Sequence, residues 1–177
     1  MSGRVLIVPG FGGSGPEHWQ TRWERADGSM VRIRMEDWND RSCARWVEAI
    51  EAGMGSVGDP VVVVAHSAGC LAFVHWAARY RRRVGGALLV AVPDPDGVNF
   101  PAAEGFASVP LGKLPYPSIV VSSCDDPYGD PRYSKACAEA WGSELVDVGM
   151  AGHINAASNL GDWAEGMKLL MRLRHPK

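Results

Sequence analysis

The sequence predicts an α/β fold built on a parallel β-sheet. Short apolar runs rich in β-branched residues alternate with amphipathic stretches along the 177 residues, and this alternation is typical of βαβ units. One run, residues 61–64, is valine at every position, which indicates a central strand covered by helices on both faces. A chain of this length can bury one hydrophobic core and is short for two, so we expect a single domain over residues 1–177.

The predicted strands cover residues 4–8, 31–35, 61–64, 87–92, 119–122 and 144–148. Between the second and third strands, apolar residues recur at helical spacing. They are Trp46, Val47, Ile50 and Met54. Ser42 precedes them as a candidate N-cap, so this stretch is predicted to form a helix that faces the core.

Three more helices follow. Apolar positions from 71 to 77 predict a helix that continues to about Tyr80, where three arginines suit the negative end of a helix dipole. Asp130 and Pro131 are typical of an N-cap and a first helical residue, and Gly142 can end that helix. Asp162 and Glu165 resemble a capping box that precedes a last helix.

The segment from residue 93 to residue 117 differs from the rest of the chain. It begins at Pro93, ends at Pro117, contains further prolines and offers no clear long helix. Long loops in compact domains are often lids or binding loops. We therefore expect this segment, which lies between two strands, to form a wall of a substrate site.

Composition narrows the classes of partner. The formal net charge of −2 provides no basic field for nucleic acid, and a small, roughly neutral molecule fits better. The apolar run at residues 4–9 has neither the length nor the flanks of a signal peptide, and no run approaches membrane-spanning length. The cysteines show no CxxC pair or metal-ligand spacing. We expect a cytoplasmic protein with reduced thiols, no metal and no membrane partner.

Ser67 is the candidate nucleophile. It follows the valine strand and precedes an amphipathic helix, within Ala65-His66-Ser67-Ala68-Gly69. A nucleophile elbow needs this order of elements, with small residues two before and two after a strained serine. Ala65 stands where glycine is usual, but its side chain is still small. The helix N-terminus after Ser67 also favours developing negative charge.

A serine hydroxyl needs a general base, and that base needs an orienting carboxylate. Candidate carboxylates follow the fifth strand at Asp125 and Asp126, whereas Asp130 already serves as a helix cap. His153 follows the sixth strand beside Gly152, where strand ends open onto a site. His66 adjoins the nucleophile and would point elsewhere.

The glycine-rich turn after the first strand completes the candidate site. Phe11 is expected to supply one backbone N–H of an oxyanion hole, and Ala68 the other. The turn also matches GxGxxG, but Pro16 follows and a lone match is weak support for a phosphate site. Five residues remain as candidates for substrate contact. They are Gly10, Gly12, His18, Trp19 and His66, with His18 and Trp19 equally able to cap and pack the first helix.

The chain resembles the family of small bacterial and animal serine hydrolases that includes retinoblastoma-binding protein nine. The resemblance covers nearly the whole chain. It rests on Pro9-Gly10, on residues 13–20 (GSGPEHWQ), on residues 66–70 (HSAGC), on residues 123–128 (SCDDPY) and on Gly152-His153.

The resemblance implies a minimal α/β-hydrolase, a three-layer sandwich with strand order 2-1-3-4-5-6 and no separate cap domain. It further implies a Ser-Asp-His triad without a metal or organic cofactor, and it assigns the catalytic acid to Asp126 rather than Asp125.

Together, these residues predict acyl transfer from a small, activated, uncharged ester to water. Two alternatives stay open. The same triad could serve an amidase or peptidase, or the protein could keep the hydrolase fold while its main role is to bind a protein partner.

Overall fold

The centre of the fold is a six-stranded parallel sheet, seen in a computed structural model that describes residues 4–58 and 60–175. The strand order is β2-β1-β3-β4-β5-β6, as predicted. The strands are β1 Arg4–Val8, β2 Met30–Arg32, β3 Val61–His66, β4 Val84–Val90, β5 Ser118–Ser122 and β6 Glu144–Asp147.

Helices cover both faces of this sheet and make three layers. They are α1 Trp19–Ala26, α2 Cys43–Val57, α3 Ala68–Arg79, α4 Pro131–Trp141 and α5 Ala164–Arg174, with a short 3₁₀ helix at Ala156–Ser158. One core cluster joins the sheet to α2, α3 and α4, and a second cluster joins its other face to α1 and α5. None of the helices in the described part of the chain is both long enough and apolar enough to cross a membrane.

Strand β3 contributes to both core clusters. Val61 and Val63 pack with the first cluster, whereas Val62 and Val64 pack with the second. Successive side chains of a strand point to opposite faces, so a strand covered on both sides needs apolar residues at every position. The run of valines therefore confirms the predicted central strand, which ends directly before Ser67.

The helix signals near residues 130 and 142 are confirmed. The Asp130 carboxylate accepts the backbone N–H groups of Arg132 and Tyr133 at 2.8 and 2.9 Å, and Gly142 ends α4 in the left-handed conformation. Ser42 lies at the N-cap of α2, but its hydroxyl makes no capping hydrogen bond.

The predicted capping box at Asp162 and Glu165 is wrong. The N-cap of α5 is Trp163, with φ 44° and ψ 67°, and no side chain caps the helix. The Asp162 carbonyl oxygen instead accepts the Trp23 indole N–H at 2.6 Å, and its carboxylate pairs with Arg22 at 3.5 Å. Contacts with α1 therefore prevail over the local capping pattern.

Strands β2 and β4 differ most in extent from their predictions, whereas β3, β5 and β6 differ by one or two residues at an end. Strand β2 is Met30–Arg32 rather than residues 31–35, because it is an edge strand whose ladder with β1 ends at the pair of Arg32 and Ile7. Strand β4 is Val84–Val90 rather than residues 87–92. It includes Gly86, where a Cβ atom would lie 3.2 Å from Leu173 of α5, so the glycine permits close packing in the strand.

The chain between β4 and β5 forms the long loop that the sequence predicts. Apart from one isolated bridge between Glu104 and Ser42, it contains no described helix or strand. Its start lies where β4 ends, beside Ser67, because the Ser67 backbone N–H donates to the Val90 carbonyl oxygen at 3.0 Å.

Candidate active site

Ser67 occupies a strained turn between β3 and α3. Its backbone has φ 54° and ψ −130°, a conformation that non-glycine residues rarely adopt. The Val90 carbonyl holds the Ser67 N–H, and the Ser67 carbonyl oxygen accepts the Cys70 N–H at 2.8 Å. A strained serine between a strand and a helix is the geometry that a nucleophile elbow requires.

Close backbone packing explains the small residues around the elbow. A Cβ atom on Gly69 would lie 2.6 Å from the Val8 carbonyl oxygen, and one on Gly10 would lie 2.8 Å from the Ser67 Cβ. Contacts below 3.0 Å force something to shift. Ala65, in contrast, is fully buried within β3, and its methyl group fits there without displacing a neighbour. Glycine is thus needed at 10 and 69 but not at 65.

The side chains of Ser67, His153 and Asp126 form a continuous hydrogen-bonded chain. His153 Nε2 lies 2.8 Å from Ser67 Oγ, and His153 Nδ1 lies 2.9 Å from each carboxylate oxygen of Asp126. The side chains are largely buried, 10% exposed for His153 and 1% for Asp126. In this arrangement the Nδ1–H donates to the carboxylate, which leaves Nε2 free to accept the serine proton.

The two neighbouring aspartates have different partners. Asp126 Oδ1 also accepts the Tyr128 N–H at 2.9 Å, which fixes the carboxylate that faces His153. Asp125 Oδ1 instead accepts the Ser123 hydroxyl at 2.7 Å and the Gly152 N–H at 2.8 Å. These two hydrogen bonds hold the pKa of Asp125 below its ordinary value. Asp125 therefore anchors the loop that carries the histidine.

Two further histidines lie beside Ser67 and His153. The rings of His18 and His66 are 4.7 Å apart, and His66 lies 5.0 Å from the His153 ring. His66 Nε2–H donates to the His153 carbonyl oxygen at 2.9 Å, and His18 Nδ1 accepts the Gln20 N–H and caps α1. No metal-binding group of three or more His, Cys, Asp or Glu residues occurs within residues 4–58 and 60–175.

Both of these histidines are held neutral. Burial, followed by the positive charge of Arg32 and by electrostatic coupling to His153, lowers the pKa of His18 to about 4. Burial, followed by electrostatic coupling to His153 and His18, holds the pKa of His66 well below its ordinary value. Both rings are therefore uncharged near neutral pH, and His66 braces the backbone of His153.

Trp19 takes a packing position and does not line the cavity at Ser67. It is 1% exposed and contacts Trp23 and Trp163 in a cluster between α1 and α5. Its indole N–H donates to the Ile154 carbonyl oxygen at 2.8 Å. Trp19 therefore supports the loop that follows His153.

A cavity of about 630 Å³ opens at Ser67. Several residues that the sequence singles out line it with Ser67. They are Gly10, Phe11, Gly12, His18, His66 and His153. The long loop contributes Pro93, Asn99, Phe100 and Pro101, so this loop forms part of the cavity wall.

The turn after β1 brings Phe11 to the cavity near Ser67. The Gly12 N–H donates to the Trp38 carbonyl oxygen at 3.1 Å and the Gly13 N–H to the Gly10 carbonyl oxygen at 3.0 Å, which fixes the turn. Among the described residues, neither the Phe11 N–H nor the Ala68 N–H donates a hydrogen bond to a backbone carbonyl oxygen of a turn or loop. Ala68 is the first residue of α3. Phe11 lines the cavity, whereas Ala68 is fully buried and is not one of its lining residues.

Of the cavity residues that sequence reasoning missed, Tyr128 and Arg41 have the largest side chains. The Tyr128 ring lies 4.5 Å from the His153 ring and covers it. The Arg41 guanidinium carbon lies 4.1 Å above the Phe11 ring. Tyr128 follows the Asp126-Pro127 pair and could have been found by its nearness to the acid, but no local pattern marks Arg41.

Comparison with known proteins places the chain in a family. A family model described as serine hydrolase matches residues 5–172, which is nearly the whole chain. The chain belongs to the serine hydrolase family. No curated protein sequence matches it significantly.

Three solved structures share the fold, and the first of them, at 35% identity, also supports the family assignment. A YdeN-like hydrolase from Pectobacterium atrosepticum is 35% identical and has a TM-score of 0.88, over 97% of this chain and 90% of that chain. The ydeN gene product from B. subtilis is 20% identical with a TM-score of 0.81, over 97% and 98%. A thermophilic esterase from Thermogutta terrifontis is 18% identical with a TM-score of 0.70, over 98% and 92%. The last two show the shared α/β-hydrolase fold.

Proposed function

We propose that this serine hydrolase cleaves small carboxylic esters through Ser67, His153 and Asp126. The observation that carries the proposal is the hydrogen-bonded chain from Ser67 Oγ through the His153 ring to the Asp126 carboxylate, with distances of 2.8 and 2.9 Å. A nucleophile, a base and an orienting acid within hydrogen-bond reach are what acyl transfer requires.

The reaction has two halves. Ser67 Oγ attacks the ester carbonyl carbon while His153 Nε2 takes the hydroxyl proton, and Asp126 stabilises the imidazolium that results. The amides of Phe11 and Ala68 receive the oxyanion. Collapse of the tetrahedral intermediate releases the alcohol, which takes the proton from His153. Water, activated by the same ring, then cleaves the acyl-enzyme and restores the serine.

Two observations favour an ester over a peptide. The cavity of about 630 Å³ suits a small molecule rather than an extended chain. The similar structures include the Thermogutta terrifontis esterase and a type II thioesterase from the borrelidin biosynthetic cluster, both acyl hydrolases by name. Esters also have better leaving groups than amides, so a simple triad cleaves them more readily.

The test is hydrolysis of p-nitrophenyl butyrate by the wild type, Ser67→Ala and Ser56→Ala. We expect Ser67→Ala to lower kcat by about 10³-fold or more. Ser56→Ala replaces an exposed serine of α2 and should retain the wild-type rate. A matched p-nitroanilide measures amide cleavage. Ester hydrolysis that persists in Ser67→Ala would overturn the proposal.

A further inference from the structure

The fixed charge of the cavity wall is of one sign, positive. Among the described residues that line the cavity, Arg41 is the only one of the Asp, Glu, Lys and Arg types. The nearby ring of His18 is neutral because burial, followed by the charge of Arg32, lowers its pKa to about 4. A ligand in the cavity therefore meets one fixed positive charge and no carboxylate.

The Arg41 guanidinium has no anionic partner in the described part of the protein. No carboxylate of these residues forms a salt bridge with it, and its Nη1 atom is buried without a hydrogen-bond acceptor. Arg45, one helical turn further on, pairs with Asp40 at 3.4 Å. A buried donor without an acceptor is costly. Because Arg41 also lines the cavity, an anionic ligand bound there would supply the counter-charge that the described residues do not.

The position of Arg41 also links it to the reacting atoms. Its guanidinium stacks on the Phe11 ring, which edge-packs on Trp46 and Phe106 and is therefore held in place. The residue before Phe11, Gly10, contacts Ser67 so closely that a Cβ atom would not fit. The cation is thus fixed beside the turn that would bind the substrate carbonyl.

We infer that the preferred substrate is an ester that also carries a carboxylate, and that Arg41 binds this carboxylate. The inference rests on the proposed ester hydrolysis and narrows its substrate class. A planar guanidinium pairs with a carboxylate through two parallel hydrogen bonds, and a cavity wall with little water strengthens that pair. The sequence analysis instead favours an uncharged substrate. It does not identify Arg41, because this residue lies in a loop that carries no motif.

Two matched ester pairs test the inference and locate the carboxylate. Mono-phenyl glutarate against phenyl butyrate places the charge on the acyl side, and 4-acetoxybenzoate against phenyl acetate places it on the alcohol side. We expect the wild type to favour the charged member of one pair by roughly 10- to 100-fold in kcat/KM, as for a hydrogen bond to a charged group. No preference for the charged member in either pair overturns the inference.

Arg41 variants test whether this residue causes the preference. Arg41→Gln should remove it, and Arg41→Lys should retain part of it because a cation remains. Arg79→Gln removes an equal charge from an exposed site at the end of α3 and should keep the preference. If Arg41→Gln lowers both members of a pair equally, Arg41 only supports Phe11 and the inference fails.

A binding measurement separates this inference from the proposed reaction. Calorimetry on Ser67→Ala with monomethyl glutarate reports carboxylate binding without turnover. We expect binding that Arg41→Gln in the same background weakens by about tenfold or more. Such binding supports carboxylate recognition by Arg41 even if the wild type proves not to hydrolyse esters, whereas equal binding by both proteins overturns the inference.

Discussion

The cavity has two walls, which differ in how many of their polar atoms have a hydrogen-bond partner within the protein. The triad wall consists of Ser67, His153 and His66, with the buried Asp126 carboxylate behind the His153 ring. These side chains are joined to one another or to backbone by hydrogen bonds of 2.8 to 2.9 Å. The aromatic wall consists of Phe11, Phe100 and Arg41, which are joined by ring and cation contacts. Nη1 of Arg41 has no acceptor there.

This difference separates two tasks. Groups that carry out chemistry must be held in position before the substrate arrives, so their hydrogen bonds are made within the protein. Groups that select a substrate gain by leaving a polar atom for the ligand to satisfy. We therefore expect changes in the triad wall to lower kcat, and changes in the aromatic wall to alter KM and substrate preference.

The largest effect is expected at the orienting acid. Asp126→Asn should lower kcat by roughly 10³- to 10⁴-fold, because an amide favours the wrong histidine tautomer, whereas KM should change little. Asp125→Asn is the matched control. It loses only the anchor to Ser123 and Gly152, so its kcat should fall by about tenfold or less. Equal losses in the two variants would contradict the assignment of the acid.

A smaller loss is expected from crowding the nucleophile. Gly10→Ala would place a methyl group 2.8 Å from the Ser67 Cβ, so the serine or the Phe11 turn must move. We expect kcat to fall by about 10²-fold. Gly28→Ala, where a Cβ atom meets nothing within 4 Å, should leave the rate unchanged. Steady-state kinetics with p-nitrophenyl butyrate on folded protein, checked by circular dichroism, would separate the two results.

Acid should lower the free energy of unfolding through His18, which lies beside the triad wall. The folded pKa of His18 is about 4, below the ordinary 6.5 of the unfolded chain. Its contribution to stability is therefore complete above pH 6.5 and is lost as the pH falls toward 4. We expect a loss of roughly 2 kcal/mol by pH 5 from this group.

Urea unfolding at pH 7 and at pH 5 measures this loss. His18→Asn keeps a side-chain oxygen that can cap α1 but cannot titrate, so its free energy of unfolding should fall less between the two pH values. An equal fall in the free energy of unfolding of the wild type and of His18→Asn between pH 7 and pH 5 would contradict this role of His18.

The smallest effect is expected on the aromatic wall. Phe100→Ala removes apolar contact from the cavity, so KM for a neutral ester should rise by about tenfold while kcat stays nearly constant. Val98→Ala changes a residue of the same loop that is 99% exposed, and it should leave both constants unchanged. A fall in kcat with unchanged KM would contradict the division of tasks between the walls.

The sequence predicts the triad wall because its signals are local. A valine strand, a turn of small residues and an amphipathic helix are consecutive around Ser67, and His153 follows its own strand beside a glycine. The choice between Asp125 and Asp126 needs more than this, since both lie in the same turn. The family resemblance favours Asp126, and the structure places that carboxylate against His153.

The aromatic wall and some element ends depend on contacts between distant residues. Arg41 reaches the cavity only because its loop crosses the turn at Phe11, a placement with no local pattern. The capping pattern at Asp162 is real in the sequence, but contacts with Trp23 and Arg22 redirect that residue. Local propensity decides where helices and strands form, and tertiary contacts decide how they end.

The central claim, that Ser67 is the nucleophile, is tested most directly by covalent labelling. The protein is treated with a fluorophosphonate probe, and the adduct is located by peptide mass spectrometry in the wild type, in Ser67→Ala and in Ser56→Ala. We predict one adduct, on Ser67, which is absent from Ser67→Ala and retained in Ser56→Ala. Labelling that persists in Ser67→Ala, or an adduct on another residue of the wild type, would contradict the account.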